Sequence, residues 1–246
     1  MTDKQVKSKQ RVADHGEVFT AEREVKAMCD LVADECLRID SRFLEPACGN
    51  GNFLAEIITR KLAVVSSKYK KSTYDWERFS LLALGSIYGV DIMADNAVEC
   101  RKRLYDIWSK EYKKVCKSDC NDDTKRSAEY ILSQNIVCGN ALSMMCVDEN
   151  GNDTDNPIVF SEWTYLQNDA FMHRQDFRFD VLLKENDNED MYSSQLSLFA
   201  DDAMGTDNWM IDPETNESVP KPVKTYNNIH YRKIWTMGDK NDEISF

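Results

Sequence analysis

Residues 43–54, Phe-Leu-Glu-Pro-Ala-Cys-Gly-Asn-Gly-Asn-Phe-Leu, restrict this chain more than any other stretch, because they carry it from a buried strand through a glycine-bearing turn into a helix. Phe43 and Leu44 end an apolar run and Pro46 stops it. Gly49 and Gly51 permit positive φ and close backbone approach before an amphipathic helix starting near Asn52. Free N–H groups at such a helix start attract an anionic or polar group. The spacing is not Gly-x-Gly-x-x-Gly, and no Gly-Lys-Ser/Thr follows as in a phosphate-binding loop. An ordinary tight strand-to-helix turn is the plainer alternative.

The flanking patterns alternate between strand and helix. Upstream, Val25, Met28, Cys29, Val32 and Cys36 recur at helical spacing as a core face, and Thr20 is placed as an N-cap with Glu22 and Glu24 in the first turn. Downstream, a helix-rich insertion over 66–85 precedes Ser86–Ile92, a buried strand ending in Asp91. Ala97, Cys100, Leu104, Ile107, Trp108 and Val115 define a long amphipathic helix. A third strand is expected at Asn135–Cys138, followed by the turn Gly139–Leu142, and a fourth at Phe179–Leu183. Asn156-Pro157 reads as a turn before a short strand, and Asn227–Trp235 as one more strand or a clasp. The expected fold is α/β with a predominantly parallel sheet, truncated after the fourth strand.

The stretch Glu45-Pro46-Ala47-Cys48-Gly49-Asn50-Gly51-Asn52-Phe53-Leu54 resembles the Asp-Pro-Ala-Cys-Gly-Ser-Gly-x-Phe-Leu signature of adenine-specific, S-adenosylmethionine-dependent DNA methyltransferases of restriction-modification systems. Glu45 stands in place of the usual Asp. His15–Thr20 is similar to the family's Gly-x-x-Phe-Thr-Pro segment, and Gly139–Leu142 to its Gly-Asp-Ala-Leu, with Asn140 at the Asp position. The resemblance implies a Rossmann-like fold that binds S-adenosylmethionine through Phe19, Thr20, Glu45, Ala47, Gly49, Gly51, Asp91, Ile92, Asn140 and Ala141. Glu45 would serve the methionine ammonium, Asp91 the ribose hydroxyls and Ile92 the adenine ring. Core packing for Ile92 and a simple turn for Asn140 are the plainer alternatives.

The resemblance breaks after Phe179–Leu183, where the family carries Asn-Pro-Pro-Tyr and this chain reads Lys184-Glu185-Asn186-Asp187-Asn188. In the family those residues accept the target amino hydrogens and stack on a flipped-out base. Asn186 and Asp187 are the remaining catalytic candidates. Two functions stay open: a DNA methyltransferase or modification subunit, and a catalytically inactive subunit that binds cofactor and partner proteins.

Three segments are expected: a cofactor domain over 1–183, an acidic linker over 184–222, and a C-terminal strand or clasp over 223–246. Within the linker, Gln195, Leu196, Leu198 and Phe199 match the pentapeptide by which bacterial replication proteins dock on the DNA sliding clamp, a small anchor-and-pocket interface. The alternative is that the run tucks onto its own domain. Partners implied are DNA, the clamp and a restriction-modification subunit that completes the sheet. Lys+Arg 31 against Asp+Glu 43 gives net charge −12, which opposes unaided DNA binding. Arg60, Lys61, Lys68, Lys70 and Lys71, and a second group from Arg101 to Lys117, read as solvated helix faces, with a DNA-tracking groove as the minority view. The cysteines and the three histidines show no metal-ligand spacing, so no metal is expected, and nothing suggests secretion or a membrane. The expected location is a reducing cytoplasm.

Overall fold

A computed structural model describes residues 7–15, 17–166, 170–184, 209–211 and 218–237. Three short helices, α1 (Lys9–His15), α2 (Glu22–Leu31) and α3 (Ala33–Cys36), lead into β1 (Phe43–Glu45) and then α4 (Asn52–Tyr69). Next come α5 (Thr73–Gly85), β2 (Ile87–Asp91), α6 (Ala94–Cys116), α7 (Asp122–Asn135) and β3 (Ile136–Asn140). Strands β1, β2 and β3 pair in parallel in that order, with Glu45 opposite Gly89 and Asp91 opposite Cys138. All three therefore deliver their C-terminal ends to one edge of the sheet. The 66–85 insertion is the end of α4 followed by α5, whose N-cap Ser72 accepts the Asp75 N–H at 3.2 Å.

After β3 the direction reverses. β4 (Met145–Val147) and β5 (Asp153–Pro157) add antiparallel, making a mixed five-stranded sheet in an α/β fold. Asn156-Pro157, expected as a turn, ends β5 with Pro157 opposite Met145, and only Ile158 separates it from β6 (Val159–Tyr165). Proline is tolerated there because β5 is an edge strand. β6 and β7 (Phe171–Arg178) form an antiparallel hairpin in a second sheet.

The expected fourth strand is a helix. α8 (Phe179–Lys184) begins where β7 ends, with the Phe179 N–H bonded to Ile158 O at 2.9 Å. Phe179 and Val181 are buried, and Phe179 packs edge-on against Phe160 in a small cluster with Tyr88, Val90 and Ile158. Four apolar residues around Asp180 are too few to separate strand from helix by pattern, and the direct turn out of β7 decides it. The second sheet is finished by late segments instead. After β8 (Trp209–Ile211) and β9 (Ser218–Pro220), which pair with each other, β10 (Lys224–Thr225) and β11 (Ile229–His230) both pair antiparallel with β7. A 3-10 helix (Tyr231–Met237) follows, and its buried Tyr231 and Ile234 belong to the main core.

Two buried polar knots hold these layers. In the first, Glu77 of α5 is fully buried and accepts from Tyr112 of α6, Thr124 Oγ1 of α7 at 3.1 Å, Tyr231 at 2.7 Å and Arg232 Nη2 at 2.6 Å. In the second, Arg174 of β7 makes a two-pronged pair with Asp176 at 2.8 and 2.9 Å, donates to Tyr130 at 2.6 Å, and stacks on Tyr226.

Lys61 departs from the solvated-face reading. It is fully buried on α4 and donates to Ile39 O at 3.0 Å, Ser41 O and Ser86 Oγ at 2.6 Å, all neutral acceptors. Burial lowers its pKa from 10.5 to about 8. Between those values the unfolded chain holds the extra proton, so this group makes folding more favourable as pH rises from 8 to 10.5. Relative to Lys61→Met, the native chain should gain up to about 3 kcal/mol across that window in paired urea titrations, and a constant difference would refute the buried-ammonium reading.

Candidate functional site at the strand ends

The glycine turn lies at the C-terminal end of β1. Gly49 (φ +52°) and Gly51 (φ +85°) both occupy the left-handed region, and Gly51 is the N-cap of α4. Their bareness also serves packing: a Cβ on Gly49 would stand 2.9 Å from the Phe19 ring, and one on Gly51 2.7 Å from Cys100 Sγ. The tight-turn reading thus accounts for both glycines, and a ligand is not needed to explain them.

Asp91, at the end of β2, reaches the same loop. Its Oδ2 accepts the Gly49 N–H at 2.8 Å, and its Oδ1 accepts the Met93 N–H at 2.8 Å and Asn96 Nδ2 at 3.2 Å. A carboxylate offers about four acceptor positions, so three are engaged by the protein itself and one is left for a ligand hydroxyl. Glu45 is half-buried, and burial holds its carboxyl above the ordinary range while the Ala47 backbone N–H pulls it back. The buried Cys48 thiol is pushed well above its ordinary range by its contact with the Cys100 thiol and by burial.

Of the remaining expected residues, Phe19 lies against Gly49, and the Thr20 carbonyl accepts Asn52 Nδ2 at 2.9 Å. Thr20 is not the helix cap: Ala21 takes that position without a side-chain bond, because α2 starts one residue later than the pattern suggests. Ile92 is partly exposed beside Asp91. Asn140 behaves as a turn residue, its Oδ1 accepting the Leu142 N–H at 3.0 Å and its Nδ2 donating to Asp153 at 3.0 Å, with Ala141 inside that turn. Asn186, Asp187, Gln195, Leu196, Leu198 and Phe199 lie outside the described residues.

Sequence reasoning missed a polar network over the strand ends. Glu17 accepts Asn96 Nδ2 at 2.7 Å and Arg11 Nη2 at 2.8 Å, while Arg11 also pairs with Asp95 at 2.6 Å. Lys7 reaches Glu99 at 2.5 Å and Asn96 Oδ1 at 2.7 Å. The Arg11 guanidinium holds the Asp95 carboxyl below its usual range. Together these bonds lay the N-terminal segment over the start of α6. Only Glu17, within His15–Thr20, lay close to a recognised signal.

A cavity of about 460 Å³ opens on the other side of the loop, between α2, α4 and α6, lined by Phe19, Thr20, Asn50, Asn52, Glu56 and Arg103 among others. That volume is within the range of about 300–1,000 Å³ found for small-molecule sites. Arg103 donates to Asn52 Oδ1 at 2.5 Å, which fixes the cavity's cationic wall. Asp91 does not line it.

Several members of the two basic clusters are engaged within the chain. Arg60 is paired with Glu56 and Asp30, Lys61 is buried, and Lys114 is paired with Glu111. Among the described residues no group of three or more His, Cys, Asp or Glu side chains is placed to hold a metal ion. Nor is any described helix long and apolar enough to cross a membrane. Comparison of the chain with protein families, curated proteins and solved structures returns no match in any of the three.

Proposed function

We propose that this chain is an S-adenosylmethionine-binding, Rossmann-like subunit of a DNA modification system in the cytoplasm. One observation carries the reading: the loop that bears the methyltransferase-like signature sits at the end of β1 and is tied through the Gly49 N–H to the acid ending β2, 2.8 Å away. Ligands of open α/β sheets bind beyond the carboxyl ends of parallel strands, which is where these residues meet. The donor set suits a nucleoside bearing a positive sulfur: Glu45 offers a carboxylate to the ammonium, and Asp91 keeps an acceptor position for a ribose hydroxyl. When bound, that cofactor supplies the methyl group. Residues Phe19, Thr20 and the loop backbone would position it.

A second reading, the catalytically inactive subunit, is favoured by a specific observation. The segment expected as the fourth strand, just ahead of the acceptor residues, is the helix α8, and no described strand stands beside β1 on the side away from β2. In that reading a partner supplies the acceptor half, and the Gln195–Phe199 peptide offers a sequence-based link to the sliding clamp.

Titration calorimetry with S-adenosylmethionine and with its demethylated product tests the shared claim. Binding of both is expected, with Asp91→Ala weakening it by roughly 10- to 100-fold, the effect of losing a hydrogen bond to a charged group. No heat from either compound with native protein at millimolar dose would overturn both readings. Labelled methyl transfer to unmethylated DNA then separates them: transfer by the chain alone supports the enzyme, and binding without transfer supports the subunit.

A further inference from the structure

The open side of β1 carries an unfinished surface. Phe43 donates its N–H to Ser86 O at 2.9 Å, toward β2, so strand alternation turns the N–H and C=O of Leu44 to the opposite side. No described strand pairs there, and β1 is the last strand on that side among the described residues. Beside that edge lies an apolar groove of about 190 Å³, floored by Phe43, Phe53 and Ile57 and flanked by Met28, Val32 and Leu44. Met28 and Val32, expected in the core, are exposed instead, and Leu31, on the same helix, is 85% exposed. An unpaired edge is ordinarily blunted by lysine or by a covering element. Here Phe-Leu-Glu forms the strand, and its shortness means that pairing alone contributes little, so the groove must supply the contact area.

Charge points to the occupant. The segment 21–40 that borders the groove carries six carboxylates against three cations, within a chain of net charge −12. Glu22 is paired with Lys26, Asp30 with Arg60, and Glu35 and Asp40 with Arg38, so among the described residues Glu24 on α2 and Asp34 on α3 are the carboxylates left to meet a partner's cations. A second copy would bring like charge against like.

We infer that the β1 edge and the Met28–Val32–Leu44 groove form a docking site for an extended apolar strand, flanked by lysine or arginine, from a separate polypeptide. The strand continues the sheet through Leu44, its alternate side chains enter the groove, and its flanking cations meet the α2–α3 carboxylates. Glu45 lines this groove and also belongs to the proposed cofactor site; the peptide titration and Leu44 exchange need no cofactor, so failure here is distinguishable from failure of the cofactor reading.

The test uses the full chain and two synthetic peptides with the same alternating Val-Ile core, one flanked by lysines and the other by glutamates. Binding is read by titration, and the exchange rate of the Leu44 amide by NMR. The lysine-flanked peptide should bind roughly tenfold or more tightly than the glutamate-flanked one and slow exchange at Leu44. Met28→Lys and Leu44→Lys, each checked for an unchanged circular dichroism spectrum, should abolish both effects. Met28 is the safer variant because it is half exposed on a helix. Equal or absent binding of the two peptides overturns the inference. So does a Leu44 amide already protected in the lone monomer, which would mean the chain covers its own edge, or a dimer by sedimentation that protects the same amide, which would make a second copy the occupant.

Discussion

Replacing Glu77 with alanine should destabilise the fold by about 3–5 kcal/mol, the range for removing one partner of a buried charged network. Glu77 is fully buried and gathers donors from two other helices and the C-terminal segment: Tyr112, Thr124, Tyr231 and Arg232. Alanine leaves buried hydroxyls without an acceptor, each costing about 1–3 kcal/mol, although Arg232 is partly exposed and can be hydrated. The loss should be uneven across the molecule. Tyr231 and Arg232 open the 3-10 helix that packs on α7, so this segment should become sensitive to trypsin before the rest unfolds. Glu77→Gln retains one acceptor oxygen and should lose about half as much stability. Urea denaturation of the three proteins, with limited proteolysis, measures both effects. A loss below about 1 kcal/mol for Glu77→Ala would show that the knot contributes little beyond what water offers.

Gly51→Ala should be a comparably damaging substitution, at about 2–5 kcal/mol. Two penalties add. A Cβ at φ +85° meets the backbone in the left-handed region, about 1–2 kcal/mol. The same atom would stand 2.7 Å from Cys100 Sγ and 3.5 Å from Cys100 Cβ, so α6 must shift or the thiol must turn, about 1–3 kcal/mol for overpacking. For a chain of 246 residues this corresponds to a melting temperature lower by roughly 4–20 °C. The two penalties separate in a double-mutant cycle. Cys100→Ala removes the clash but not the dihedral strain, so the double variant should be more stable than the sum of the singles by about 1–3 kcal/mol. Strict additivity would show that Cys100 is not what closes the space above Gly51.

The strand, the turn and the following helix were legible because each rests on local chemistry: Pro46 ends the run, Gly49 and Gly51 allow positive φ, and the apolar spacing after Asn52 is helical. The expected burial of that strand was not met, since Phe43 and Glu45 are half-buried and Leu44 is exposed. Asp91 was legible for a similar reason, as an acid ending an apolar run. Phe179–Leu183 was not, since four apolar residues around Asp180 satisfy strand and helix alike. Met28 and Val32 carry the right spacing for a core and yet face outward, because spacing marks a face without naming what covers it. Lys61 was read as solvent-facing because its charge suggests exposure, whereas three neutral oxygens from distant positions accept its protons inside the core.

By itself the sequence determined the order of strand, glycine turn and helix, and the acid that closes the second strand, all consequences of steric and hydrophobic rules acting over a few residues. Only the tertiary structure decided that the sheet turns antiparallel after β3, that Asp91 spends most of its acceptors on its own chain, that Glu77 binds the C-terminal segment to the helices, and that no described strand pairs with β1 on the side away from β2. Those outcomes depend on which distant groups arrive beside one another, and hydrogen-bond satisfaction in a closed core selects them only once the whole chain has packed.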